Sequence, residues 1–231
     1  MNAARAARHA AMELRMLLRN GEQLLLAFVI PLGLLIGGML WGRWLWLDAA
    51  TFPASVVAVA TWSTAFTALA VATGYERSYG VLERLVATPL TRADLIAGKA
   101  MSACVLVAIQ AALLLAVAAA LGWRPVVTLA GLTSSILATV LGIAAFAGLG
   151  LLLAGTLKAE VTLALANLIY LVGLVLGGLL LDQPPVLPTA ALGGALRAAA
   201  EGAAAPVALL VLAGWAAGFT LIARKVFRWT S

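Results

Sequence analysis

The chain has 231 residues, 64% of them hydrophobic and only 10% charged, with 15 Lys and Arg against 9 Asp and Glu for a net charge of +6. A soluble domain runs about 45–50% apolar and about 25% charged, so this composition excludes a soluble globular enzyme, a disordered chain and a secreted disulfide scaffold. What fits is a single all-α integral membrane domain over residues 1–231, in which the lone Cys104 and the lone His9 offer no disulfide and no metal-ligand cluster.

Residues 1–23 come first. Arg5, Arg8, Met12, Arg15, Arg19 and Glu22 recur at spacings of three and four, opposite Ala7, Ala11, Leu14, Leu17 and Leu18. That pattern predicts an amphipathic helix lying in the membrane interface, its arginines near anionic headgroups. A hydrocarbon core about 30 Å thick needs about 20 apolar residues, and six charge-free runs meet that need: Leu24–Trp41, Phe52–Thr73, Ala100–Leu121, Val126–Leu157, Val161–Leu181 and Ala203–Ala223. The fourth is longer than a span requires, which starts its helix near Leu132 or tilts it. Pro31 predicts a kink in the first run. The first run is also too long for a signal-peptide core and leads into tryptophans, so it stays as a helix.

With the N-terminus placed in the cytoplasm, twelve basic residues fall on inner segments and three, Arg43, Arg124 and Arg197, on outer ones. The positive-inside rule then sets both termini on the cytoplasmic side of the plasma membrane. Trp41, Trp44, Trp46 and Trp123 gather at the outer ends, the level an amphipathic indole prefers.

The segment 75–99 lies between the second and third runs, on the inner side. In it Val81, Leu82, Leu85 and Val86 take helical spacing, with Glu83 and Arg84 on the other side; Pro89 stops the helix near Ala87 or Thr88. Thr91 followed by Asp94 makes a capping box for the helix that carries on into the third span. A water-exposed loop has no use for an apolar face, so the face docks on a protein partner or on the membrane surface.

The run Glu76-Arg77-Ser78-Tyr79-Gly80-Val81-Leu82-Glu83-Arg84-Leu85, then Ala87-Thr88-Pro89-Leu90 and Gly98-Lys99, resembles the signature of the type 2 ABC exporter permeases. The six-span layout, the amphipathic N-terminal helix and the basic C-terminus extend the likeness over most of the chain. The resemblance implies a coupling helix that sits in a cleft of a separate cytoplasmic ATPase, with Glu76, Gly80, Leu82, Glu83, Leu85 and Pro89 as contacts and Gly98 and Lys99 at the base of the third span. Val81 stands where that family often has threonine. The resemblance further implies that ATP and Mg bind the partner ATPase and none binds this chain, and that a second copy or a related permease completes the pathway. Consistent with this, the chain has no Gly-x-x-x-x-Gly-Lys-Ser/Thr phosphate loop, and it is expected to be a transport subunit rather than an enzyme, with no nucleic-acid partner.

The remaining spans are sparing in chemistry. None holds an ionisable side chain of the kind a proton- or sodium-coupled carrier or an intramembrane protease needs. Gln110 and Asn167 are the most polar residues within them, read as interhelical hydrogen bonds ahead of substrate contacts. Trp62 and Trp215, near mid-span, either line a pathway for a flat apolar ligand or pack. Ser63 and Ser134 are read as hydroxyls bonded within or between helices. The pairs Gly33/Gly37, Gly38/Gly42, Gly173/Gly177 and Gly214/Gly218 predict tight helix packing. In the outer segment 182–205, Pro184, Pro185 and Pro188 forbid one continuous helix, and the resemblance implies short helices gating an exit. The expected function is export of an amphipathic or lipid-like substrate. A haem-export permease of cytochrome maturation and a non-transporting scaffold or anchor subunit stay open as alternatives.

Overall fold

The structure, a computed structural model, describes residues 3–19, 21–41, 48–86 and 91–227. Trp44, Trp46, Arg43 and the Ala87-Thr88-Pro89-Leu90 stretch, with the contact assigned to Pro89, lie outside the described residues, as do the side chains of Leu17, Leu18, Glu22 and Val86. The described residues are helical almost throughout, without a strand: α1 (Ala3–Arg19), α2 (Gly21–Trp41), α3 (Phe52–Trp62), a π-helical turn (Ser63–Ala68), α4 (Leu69–Ser78), α5 (Val81–Val86), α6 (Arg92–Ala120), α7 (Leu129–Ala154), α8 (Ala159–Leu176), α9 (Pro188–Ala200) and α10 (Pro206–Val226).

Among the described residues five continuous helices are long and apolar enough to cross a membrane: Phe52–Ser78, Ala93–Ala120, Leu129–Ala154, Ala159–Leu176 and Pro206–Val226; a sixth apolar stretch, Ala27–Trp41 within α2, is shorter. The all-α fold with its six apolar helices is thus the one the run lengths foretell, because a backbone with no water to bond must satisfy every N–H and C=O within the helix. The boundaries shift. The second span runs five residues past Thr73, to Ser78, and the fourth starts at Leu129, three before Leu132, where the Thr128 hydroxyl accepts the Gly131 N–H at 2.9 Å. The fifth stops at Leu176 rather than Leu181, with Gly177 as its C-cap and Gly178 at a φ of +70° turning the chain away.

Every residue of α3 is buried, which makes the second span the axis of the monomer. Trp62 stacks on Phe66 at 4.2 Å and meets Phe146 of α7 edge-on at 4.6 Å. Small residues set the closest crossings, although only some belong to the paired spacings. A β-carbon at Gly148 would lie 3.0 Å from Phe219 of α10, and one at Gly150 3.0 Å from the Phe66 carbonyl, whereas Gly33, Gly37, Gly214 and Gly218 face open space. Spacing alone cannot say which face of a helix meets a neighbour, and for those four it is an outward face.

In the 182–205 segment the alanine-rich stretch is a 13-residue helix, α9, begun by Pro188 at its first turn, where the missing N–H costs nothing. It is mostly buried, and its Arg197 is only 8% exposed. The guanidinium donates to the carbonyls of Leu179 (2.9 Å), Gly178 (3.2 Å) and Leu181 (3.2 Å), and approaches Ser55 Oγ and Asp182 Oδ1, both at 3.4 Å. Arg197 is therefore the cap on the chain leaving α8. At the same end, Ser134 accepts the Ala205 N–H at 3.2 Å.

Candidate functional site

The segment between α4 and α6 is built from local rules first. Tyr79 N–H donates to the Tyr75 carbonyl at 2.9 Å and Gly80 N–H to that of Arg77 at 3.1 Å, closing α4. Gly80 then takes a φ of +69°, a conformation that costs an L side chain about 1–2 kcal/mol. A β-carbon there would meet nothing nearer than Glu83 Oε2 at 3.8 Å, so the backbone angle, not space, is what glycine supplies. The one and a half turns of α5 follow, with Leu82 fully buried and Leu85 half-buried. Tyr79, Val81, Glu83 and Arg84 are exposed, Tyr79 by 73%. At the far side the capping box closes reciprocally: Asp94 N–H to Thr91 Oγ1 and Thr91 N–H to Asp94 Oδ2, each 3.2 Å.

Beneath this turn lies an ion network. Lys99 of α6, 2% exposed, donates to Glu76 Oε2 of α4 at 2.8 Å and to Glu13 Oε1 of α1 at 2.9 Å. His9, one turn before Glu13, brings Nε2 to 3.4 Å from the same Glu13 oxygen, too poorly aimed for a hydrogen bond. Burial lowers the His9 pKa; Glu13 opposes that shift and Lys99 reinforces it. One ammonium shared between two carboxylates repays its desolvation only through such geometry.

Gly98 explains the Gly-Lys pair. A β-carbon on it would sit 2.6 Å from His9 Cδ2 and 3.0 Å from the Ala6 carbonyl, so α1 can lie flat on α6, close enough for Glu13 to reach Lys99, only because residue 98 is glycine. The docked face of α1 is Ala6, His9, Ala10 and Glu13, while Ala7 and Ala11 of the expected apolar face are exposed, as are Arg5, Arg8, Met12, Arg15 and Arg19. The helix has three stripes: one for α6, one apolar and outward, one basic. On the other flank Arg77 donates to the Leu157 carbonyl, and Gly74 lets Thr162 of α8 approach to 3.4 Å of where its β-carbon would be.

Of the expected contacts, Glu76 is turned inward onto Lys99, Leu82 is buried, Leu85 is half-buried, and Gly80 and Glu83 lie at the surface turn. Glu13, His9 and Arg77 complete the site without having been singled out. Glu13 carried a signal: it is an acid in a helix of arginines, four residues after the histidine and on neither expected stripe.

The four mid-span residues are not brought together. Gln110 is buried, accepting from Thr64 Oγ1 at 2.9 Å and donating to the Ala27 carbonyl at 2.8 Å, so it ties α6 to the π-helical turn and to α2. Trp62 is enclosed, its Nε1 3.4 Å from the Tyr170 carbonyl. Trp215 donates to the Val186 carbonyl at 3.0 Å and stacks on Phe219. Asn167 is exposed on the outward face of α8 with Leu168 and Leu171.

An exposed turn, Tyr79 to Arg84, is fastened to the ends of two long helices, to α1 and, through Arg77, to the chain entering α8. The protein family described as ABC-2 type transporter matches residues 10–191, a range that holds Glu13, Glu76 and Lys99. No curated relative matches the chain.

Proposed function

From the premise that the chain belongs to the ABC-2 type transporter family, as a multi-pass membrane permease subunit of an ABC transporter, we propose that it is the membrane half of an exporter at the plasma membrane, driven by a separate ATPase that binds ATP and Mg and docks on the turn Tyr79–Arg84. The carrying observation is that an apolar, charged-rimmed tip is exposed while its root is locked by Glu76, Lys99 and Glu13. A tip free to be pushed and a root unable to yield are what transmission of ATPase closure to α4 and α6 requires. Val81, Glu83 and Tyr79 are the contacts; Glu76, Leu82 and Lys99 hold them in place; Gly80 shapes the turn. Twelve basic residues on the α1 and Tyr79 side support that side as cytoplasmic.

Helix α8 buries only 17% of its apolar window. A second copy or a related permease set against that face supports a central pathway that Asn167 lines, opened to either side by rigid-body motion. The surrounding surface is apolar and suits an amphipathic or lipid-like substrate moved outward.

The test is co-purification of the tagged chain in mild detergent, with Mg-ATP hydrolysis assayed on each eluate. Wild type should bring down an ATPase, and Val81→Asp with Glu83→Lys should weaken its retention by at least about tenfold while leaving the thermal transition of the permease unchanged. An ATPase retained equally by both would move the docking site elsewhere. No ATPase under any condition would sink the reading.

A further inference from the structure

Between α6 and α7, walled by α3 and α9, a groove of about 470 Å³ opens sideways. Ala108 and Ala111 of α6 face Ser135 and Thr139 of α7 across it, and it is these small side chains that leave the gap. Neither hydroxyl offers a donor to an occupant: Ser135 Oγ donates to the Leu132 carbonyl at 2.9 Å and Thr139 Oγ1 to the Ser135 carbonyl at 2.8 Å. The lining is almost wholly apolar, from Trp123 at the mouth to Cys104 at the inner end.

Its length is that of one lipid chain. From Leu115 to Cys104 it follows α6 for about 16 Å at 1.5 Å per residue, close to half of a hydrocarbon core about 30 Å thick. The mouth carries the complementary charge. Arg124, exposed, sits between the lining residues Trp123 and Pro125, its Nη1 held by the carbonyls of Ala119 and Trp123, both at 3.0 Å. The Trp123 ring is itself fixed by its Nε1–H to the Ala50 carbonyl at 2.8 Å. A guanidinium beside an interfacial tryptophan, at the end of an apolar slot one leaflet deep, is matched to a phosphate with an acyl chain below it.

We infer that the groove between α6 and α7 is the site of a resident membrane glycerophospholipid, one acyl chain filling the slot and its phosphate held by Arg124. The site is separate from the coupling turn and from the α8 face, and it stands whatever the chain transports.

The test counts lipid. The full chain is washed in lipid-free dodecylmaltoside, supplied with palmitoyl-oleoyl phosphatidylglycerol, and examined by native mass spectrometry and phosphate assay. Wild type should retain one lipid per chain. Arg124→Glu should lower occupancy about tenfold, the loss of one charge-assisted contact, with Arg124→Lys largely retaining it. Ala111→Phe, which fills the slot, should expel the lipid and still hold its thermal transition in lipid-free detergent, so loss of binding is distinguished from loss of fold. Leu168→Phe on the α8 face should change nothing. Equal retention by all four variants would overturn the assignment, since lipid would then coat the protein without a site. So would a lipid-free wild type, or a Cys104-to-Cys104 crosslink placing a second copy in the groove.

Discussion

Lys99 is the residue on which the most depends. Removing its charge, as in Lys99→Met, leaves Glu13 and Glu76 facing each other in a buried site, and breaking such a network costs about 3–5 kcal/mol. The expected outcome is a large fall in the detergent thermal transition, partly restored by Glu13→Gln with Glu76→Gln in the same chain, which removes the stranded carboxylates. Gly98→Leu should give a different signature. It pushes a side chain into His9 and the Ala6 carbonyl, so α1 lifts from α6 and its amides lose hydrogen-exchange protection while the spans stay folded. His9 adds a pH dependence whose sign follows from burial. Its folded pKa is depressed, so as pH falls below the ordinary value of about 6.5 the unfolded chain takes up the proton first and stability is lost; above it the neutral imidazole contributes fully. Thermal transitions at pH 7.5 and 5.5 should therefore differ in wild type, and differ less in His9→Gln.

Among the elements, the π-helical turn Ser63–Ala68 sets the register of everything below it in the second span. A π turn accommodates a residue more than α-helical winding would. Deleting Thr67 from it should return the turn to α-helix and keep Glu76 facing Lys99. Deleting Ala72 from α4 should instead rotate the end of that helix by about 100° and break the network. Size-exclusion profiles and thermal transitions of the two deletions distinguish these outcomes, and similar damage from both would refute the account. Nothing in the sequence announced this turn, since its Ser-Thr-Ala-Phe-Thr-Ala composition suits ordinary helix as well. By contrast the Thr91–Asp94 box was legible, because both partners lie within one turn and the bonds are local. The residues around α9 forbade only one continuous helix, and the short helix itself came from the family resemblance; its burial is set by tertiary packing.

For the molecule as a whole, run length and absence of charge made the spans legible, since the membrane enforces both. The proposed coupling site was half legible. Its turn lies in one contiguous stretch, whereas Glu13 is 86 residues from Lys99 and Arg77 is 80 from Leu157, and pairings that distant are decided by helix packing. Arg197 shows the same limit: counted along the chain it is a loop charge, and folded it holds the exit from α8 together with α3. Of the five long spans, α8 has the least buried apolar window. Asn167 there has an amide set among apolar side chains, and in hydrocarbon an amide seeks a partner at a gain of about 0.6 kcal/mol, rarely above 1.7. Asn167→Leu should therefore weaken association of two copies measurably without changing the monomer's thermal transition, as read by single-molecule photobleaching in vesicles.

The 86 residues between Glu13 and Lys99 also impose an order of events on synthesis. At about 5–20 residues per second, α1 emerges at least about four seconds before the lysine that will neutralise its glutamate. Throughout that interval Glu13 has no Lys99 and His9 no Gly98 to rest on, so the arginine stripe must hold the helix at the lipid surface while two spans are inserted beside it. The third span arriving is the step that lifts Glu13 out of water. The N-terminal helix, first to be made, is thus fastened only when the third span arrives, and any slowing of translation before Lys99 lengthens the time it spends unsecured.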